Sequence, residues 1–296
     1  MIELLQLLGP DGRPYVRQSL IQPAVYLDTW AICDLSEDAK IGSRFREALF
    51  EARGTLVFSS LNFVDFAGMD DPRHTARAAE FIGSIAPHMF FSHFDPFIVC
   101  NREFEVMTGN TKESPAGDAG LLAEFAAAAS NSNMRQAIIA WFRSMYLARE
   151  SLRADRDGMA EALFLGIEGL RARIVQEPGV AKDMRQPVRN ADRPRSTFVL
   201  LRVLIAQMEA DRSLPKTPNN AIDFLHCVVP AAYCSYVLVD AQWFARLNRA
   251  KEQMDIGGIT ASVAMPFTKR NNGVEAFLTA LEGLRGSGRI PPPAVS

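Results

Sequence analysis

Short apolar runs alternate with segments of helical periodicity along the first ninety residues. Apolar, β-branched and aromatic positions predict buried strands at Val25–Ala31, Thr55–Phe58 and Met89–Ser92. Apolar residues at three- to four-residue spacing predict helices at 38–53, 61–69 and 74–85. This alternation favours a parallel sheet with helices on both of its faces.

The pattern changes near residue 95 and returns near residue 217. Between them the periodicity is helical, and the segment near 176–196, rich in proline and basic residues, predicts a mobile loop. Later elements are predicted as a helix from Pro218 bent at Pro230, strands at Tyr236–Val239 and Ile259–Met265, and helices at Ala241–Lys251 and Gly273–Leu284. We therefore expect an α/β protein, a three-layer α/β/α sandwich with a central, mostly parallel sheet formed by 1–94 and 216–296. An all-helical insertion would occupy 95–215.

Composition narrows the class of protein. The chain has 296 residues, 48% of them hydrophobic, with 32 basic and 34 acidic residues. This near-neutral balance lacks the excess of basic residues that is typical of nucleic-acid-binding proteins. Binding of a polyanion would therefore need a local basic patch or a bound metal. The predicted mobile loop offers such a patch, which is either a plain solvated loop or a contact to an RNA backbone. Its basic residues are Lys182, Arg185, Arg189, Arg193 and Arg195.

The chain lacks signals for export, membrane insertion or a zinc ribbon. Its four cysteines form no C-x-x-C pair, and no apolar run reaches 18 residues. The first residues lack the basic segment of a signal peptide. We expect a cytoplasmic protein with reduced cysteines and no membrane partner. The sequence also lacks a G-x-S-x-G elbow and a phosphate-binding glycine loop.

Four acids stand at positions that suit a metal site. Asp28 and Asp240 come at or near the ends of predicted strands, while Asp65 and Asp223 lie on helices. Ligands in parallel sheets bind outside the carboxyl ends of the strands, so these side chains are expected to converge. Clustered carboxylates suit Mg²⁺ or Mn²⁺, which polarise a phosphoryl oxygen and activate water. Each acid also has a structural interpretation, as a helix cap, as helix N-terminal charge or, for Asp65, as the partner of an arginine.

Three segments, VYLDTW, SSLNFVDFAG and AIDFLHCVVPAAYCSYVLVD, together resemble a PIN-like nuclease domain. The resemblance implies an α/β/α sandwich that binds one or two Mg²⁺ or Mn²⁺ ions and cuts single-stranded RNA. By position, Asp28, Asp223 and Asp240 would ligate the metal, and Asp65 would complete the catalytic set. Many members are toxins, which implies an antitoxin or other protein partner and a homodimer.

The sequence also departs from the family pattern. Asp65 stands where Glu is usual, and Asn220 and Ser235 stand where relatives often carry acids. Two alternatives therefore stay open. One is a catalytically weak PIN-like scaffold that acts as a binding or regulatory module, and the other is a nuclease directed at DNA. A zinc site at His226 with Cys227 and Cys234 is disfavoured, because a histidine in an apolar helix is usually a satisfied core residue.

Overall fold

A five-stranded parallel sheet forms the centre of the molecule. The computed structural model describes residues 1–8, 14–111, 114–129, 133–177, 196–211 and 217–284. The central strands are β3 (Ala24–Leu27), β4 (Thr55–Ser59), β5 (Met89–Ser92), β6 (Tyr236–Leu238) and β7 (Met265–Phe267), preceded by a hairpin of β1 (Ile2–Leu8) and β2 (Pro14–Gln18). The sheet order is β5-β4-β3-β6-β7, and every neighbouring pair is parallel. The expected α/β class and parallel sheet are confirmed.

Helices surround this sheet in the described part of the chain. They are α1 (Thr29–Glu37), α2 (Ala39–Glu51), α3 (Ser60–Ala67), α4 (Pro72–Gly83), α5 (Pro96–Met107), α6 (Ala119–Ala129), α7 (Met134–Leu147), α8 (Arg149–Gln176), α9 (Ser196–Ala210), α10 (Pro218–Tyr233), α11 (Ala241–Ile256) and α12 (Gly273–Glu282). Two short 3-10 turns lie at Ala86–His88 and Arg270–Asn272. None of the described helices combines the length and apolar character that a membrane crossing requires.

Side chains on the two faces of β3 enter two different hydrophobic clusters. Val25 and Leu27 belong to the first cluster, with Phe45 of α2 and Phe277 of α12. Ala24 and Tyr26 belong to the second, with Val228 of α10 and Trp243 of α11. Because successive side chains of a strand point to opposite faces, this division shows that helices cover both faces of the sheet. Both faces are therefore apolar, which explains why the strands read as continuous hydrophobic runs.

The segment expected to be an insertion packs into the same two clusters. Phe125 of α6 and Phe142 of α7 lie in the first cluster, and Val99 of α5 and Leu204 of α9 lie in the second. The described residues of this segment are helices and their connections, joined to the sheet edge by a bridge between Ser92 and Gly117. The boundary of the insertion as a domain stays a prediction. The basic loop and its five cations lie outside the described residues.

Three sequence expectations are corrected. The first predicted strand is shorter, because Asp28 caps a helix that begins at Thr29, which the sequence pattern did not reveal. The last predicted strand, Ile259–Met265, is wrong. Ile259 instead bonds back to Met254 at the end of α11, and the strand begins only at Met265. Helix α5 was also missed, although Asp95 and Pro96 form an N-cap followed by a first-turn proline.

Candidate metal and catalytic site

The strand order places two of the four acids at one point on the sheet edge. The chain moves from β3 towards β5 in one direction and from β6 to β7 in the other, so the order reverses between β3 and β6. Asp28 follows β3 directly, and Asp240 follows β6 by two residues. The Asp28 backbone N–H donates to the Leu238 carbonyl at 2.9 Å, which ties the two strand ends together. Such a reversal point is where α/β sheets bind ligands.

Asp28 and Asp240 also act as helix N-caps. The Asp28 side chain accepts from the Thr29 N–H at 2.7 Å, and Asp240 accepts from the Trp243 N–H at 2.7 Å. Both bonds use Oδ1, so Oδ2 of each carboxylate takes no part in them. Both side chains are partly exposed. The capping interpretation is therefore confirmed for both residues, and it orients the two carboxylates at the sheet edge.

Helix α3 brings Asp65 to the same edge, where three residues contact it. Thr29 Oγ1 donates to Asp65 Oδ2 at 2.9 Å. His226 Nε2, from α10, lies 3.0 Å from the same oxygen, and Arg156 Nε, from α8, lies 3.9 Å from Oδ1. The interpretation of Asp65 as the partner of an arginine is thus confirmed, but the closer cation is a histidine. The described residues of the predicted insertion contribute to the site through Arg156.

Asp223 lies on α10 one turn before His226 and close to the charges of Asp28 and Asp240. Burial, then the charges of Asp28 and Asp240, raises the pKa of Asp223 to about 7. Burial also raises the pKa of Asp28 to about 6, although His226 opposes this, and Asp65 adds to it. The charges of Asp28, Asp240 and Asp65 all raise the pKa of Asp223, so the structure brings the four predicted site residues into one neighbourhood.

Asp65 differs from its neighbours because it has a cationic partner. Burial disfavours its ionised form, but the charge and contact of His226 and the hydrogen bond from Thr29 outweigh burial, and the pKa of Asp65 falls below its usual value. Burial likewise disfavours charged His226, but Asp65 outweighs it and the pKa of His226 rises. Asp65 and His226 therefore stabilise each other's charged forms.

Sequence reasoning did not find the polar chain that supports this pair. The Tyr26 hydroxyl contacts Nδ1 of His226 and accepts from Asn62 Nδ2 at 3.3 Å. Asn62 Oδ1 in turn accepts from the Ser59 N–H at 2.9 Å, so Asn62 is a capping amide buried at the end of β4. Tyr26, Asn62 and His226 are buried. The three-residue spacing of Asp223 and His226 on one helix face was the available signal.

The chemistry of the donor set suits a hard cation, although the side chains are not arranged as a closed ligand set. In the described part of the chain, no three His, Cys, Asp or Glu side chains form a group that could hold a metal ion as they stand. Asp28, Asp223 and Asp240 offer only carboxylate oxygens, the ligands that Mg²⁺ and Mn²⁺ prefer. The raised pKa values of Asp28 and Asp223 reflect the burial and mutual repulsion that a cation would relieve. Asp65 is already balanced by His226.

Fold and site together define an α/β protein with a five-stranded parallel sheet and four acids gathered where its strand order reverses. No protein-family model, no curated protein and no solved structure matches the chain significantly.

Proposed function

We propose that the protein is a metal-dependent endonuclease of the PIN-like class that hydrolyses phosphodiester bonds in single-stranded RNA. The observation that carries this proposal is the gathering of Asp28, Asp223 and Asp240 around one point of the sheet edge, with two of their pKa values raised. Perturbed carboxyl groups beside one another, at the place where α/β folds bind ligands, are typical of a catalytic site.

In this mechanism Asp28, Asp223 and Asp240 would hold Mg²⁺ or Mn²⁺. The ion, when bound, polarises a phosphoryl oxygen and lowers the pKa of a water molecule. Asp65 remains ionised because His226 and Thr29 stabilise its charge, so it can accept a hydrogen bond from a water and orient it. Arg156 stands beside Asp65 and contributes positive charge where a phosphate would approach.

The test is an RNA-cleavage assay on Asp28→Asn. Asparagine caps a helix as well as aspartate does, so the variant keeps α1 while losing a charged ligand. We expect cleavage with Mg²⁺ or Mn²⁺ to fall by about a hundredfold or more. The matched control is Asp38→Asn, which changes the same residue type at the N-cap of α2 and should cleave at the wild-type rate. Cleavage by Asp28→Asn at the wild-type rate would exclude this assignment.

Substrate and biological role belong to the same proposal. Single-stranded RNA, single-stranded DNA and duplexes should be compared in one assay, because a preference for DNA would identify the alternative nuclease. A role as a toxin or defence effector in the cytoplasm predicts an antitoxin or other protein partner, and a homodimer. Co-purification and light scattering of the intact chain measure the partner and the dimer.

The second candidate is a catalytically weak scaffold of the same fold. Two observations favour it: Asn220 and Ser235 replace acids often found in relatives, and no ready-made metal group exists among the described residues. A folded protein that neither cleaves any nucleic acid with Mg²⁺ or Mn²⁺ nor gains stability from either ion would support the scaffold.

A further inference from the structure

A cavity of about 320 Å³ adjoins the acidic site on the side of β7. Its lining comes from the segments that follow three neighbouring strands: β3, β6 and β7. The cavity therefore opens at the carboxyl edge of the sheet, and Asp240 belongs both to its wall and to the acidic site. The lining residues are Trp30, Asp240, Ala241, Thr268, Lys269 and Arg270.

Two exposed cations, Lys269 and Arg270, line the cavity together with Asp240. Lys269 Nζ lies 2.7 Å from Asp34 Oδ2 and 5.9 Å from the centre of the Trp30 ring. Its side chain is 66% exposed, so this ion pair is weak and a ligand phosphate can replace it. Arg270 is exposed and forms no ion pair with any residue in the described ranges. The five donors of its guanidinium suit a phosphate.

The turn that carries these cations is tightly constrained. Asn271 and Asn272 have φ of 55° and 59°, in the left-handed region that costs energy for residues other than glycine. An added Cβ on Gly273 would lie 1.9 Å from the Thr268 carbonyl oxygen, so only glycine closes the turn. Gly273 therefore closes the turn that presents Lys269 and Arg270.

Trp30 supplies an aromatic wall fixed by the core. It is partly exposed and packs against the first hydrophobic cluster. An aromatic ring near cations is the combination by which proteins bind single-stranded nucleic acids, because every base can stack and every nucleotide carries a phosphate. The cavity is shallow and open to solvent, and its volume of about 320 Å³ leaves room for one nucleotide.

We propose that this cavity binds the nucleotide next to the scissile phosphate, with its phosphate between Lys269 and Arg270 and its base against Trp30. This inference rests on the proposed nuclease function for the position of the nucleotide. The cavity would set the register of the strand, so that the following phosphodiester lies at Asp28, Asp223 and Asp240.

The test measures binding in EDTA, so that cleavage does not interfere. Wild type and Arg270→Gln are titrated with uridine 5′-monophosphate, with uridine, and with a labelled single-stranded oligouridylate. We expect Arg270→Gln to weaken binding of the monophosphate about tenfold and to reduce the salt slope of oligonucleotide binding by about 0.7, the value for one phosphate contact on a single strand. Arg249→Gln is the matched control, because Arg249 is exposed on α11 roughly 14 Å along the helix from Asp240.

A pair of variants tests the aromatic wall. Trp30→Leu should weaken monophosphate binding about fivefold, while Trp30→Phe should retain it. Nε1 of Trp30 has no hydrogen-bond partner among the described residues, so phenylalanine breaks no such bond and serves as the conservative rescue.

The outcomes separate the cavity from the nuclease. Any of three results would overturn the cavity proposal. These are equal binding of the monophosphate by Arg270→Gln and Arg249→Gln, binding of uridine as tight as that of its monophosphate, and no binding of the monophosphate by the wild type. If RNA is cleaved normally in that case, the nuclease proposal survives alone. If Arg270→Gln loses monophosphate binding, the nucleotide site is supported. If the wild type also cleaves no RNA with either metal, the nuclease proposal is refuted.

Discussion

Asp223→Asn should stabilise the protein more at pH 8 than at pH 5. The pKa of Asp223 rises from 3.8 to about 7 in the folded chain, so the folded state holds the proton more tightly than the unfolded chain does. The stability contributed by this group is complete below pH 3.8 and is lost as the pH rises through about 7. At pH 8 the ionised carboxylate is therefore a cost, and asparagine removes it.

The size of the effect follows from the shift. A change from 3.8 to about 7 corresponds to about 4 kcal/mol at 1.36 kcal/mol per unit. Because the side chain is partly exposed, solvent screening reduces this to about 2 kcal/mol. For a chain of this size about 1 kcal/mol moves the Tm by roughly 2 °C, so Asp223→Asn should melt about 4 °C higher at pH 8.

The assay is a thermal melt in EDTA at pH 5 and pH 8, with circular dichroism as the signal. Asp38→Asn is the control, because it replaces an acid that caps α2 away from the site and should shift the Tm equally at both pH values. An Asp223→Asn variant with the same Tm change at pH 5 and pH 8, or one less stable at pH 8, would refute the electrostatic reasoning.

Three further results are expected. Mn²⁺ at a hundred times its Kd should stabilise the wild type by about 2.7 kcal/mol at pH 8, relative to melts in EDTA. The stabilisation should be smaller at pH 5.5, where protons compete for the carboxylates, and Asp28→Asn should abolish it. Tyr26→Phe should lower the free energy of unfolding in urea by about 2 kcal/mol, because it leaves buried polar atoms of His226 and Asn62 without their hydroxyl partner; an unchanged midpoint would contradict this. Arg156→Ala should slow RNA cleavage about tenfold with little change in Tm, and an unaltered rate would show that Arg156 only packs.

Local sequence signals predicted the sheet well. Strand β5 has the bounds expected from its apolar run, and Asp28 and Asp240 follow strands as expected. These features depend on burial of neighbouring residues on both sheet faces, which leaves a continuous apolar run. Strand β7 was misplaced because only Met265–Phe267 pairs with β6, and short apolar runs alone do not reveal which residues reach a sheet.

The interior of the site was not predictable in the same way. His226 contacts Tyr26 across 200 residues of sequence, and Arg156 reaches Asp65 from a helix that periodicity assigned to a separate insertion. Hydrophobic patterns carry no information on such pairs, because a buried histidine in an apolar helix looks the same with any polar partner. His226 is therefore a core residue, as expected, but the sequence did not reveal its contact with Asp65.

The charge of Asp65 depends on parts of the chain that are far apart in sequence. Burial disfavours the ionised form of this carboxyl, and His226 on α10, Thr29 on α1 and Arg156 on α8 together keep its pKa below the usual value. Helices α7 and α9, which flank α8 in the described chain, also fill the two hydrophobic clusters that support β3 and β4. A protein reduced to 1–94 joined to 216–296 would lose Arg156 and part of both clusters. The described helices of the predicted insertion therefore help to form the acidic site at the sheet edge.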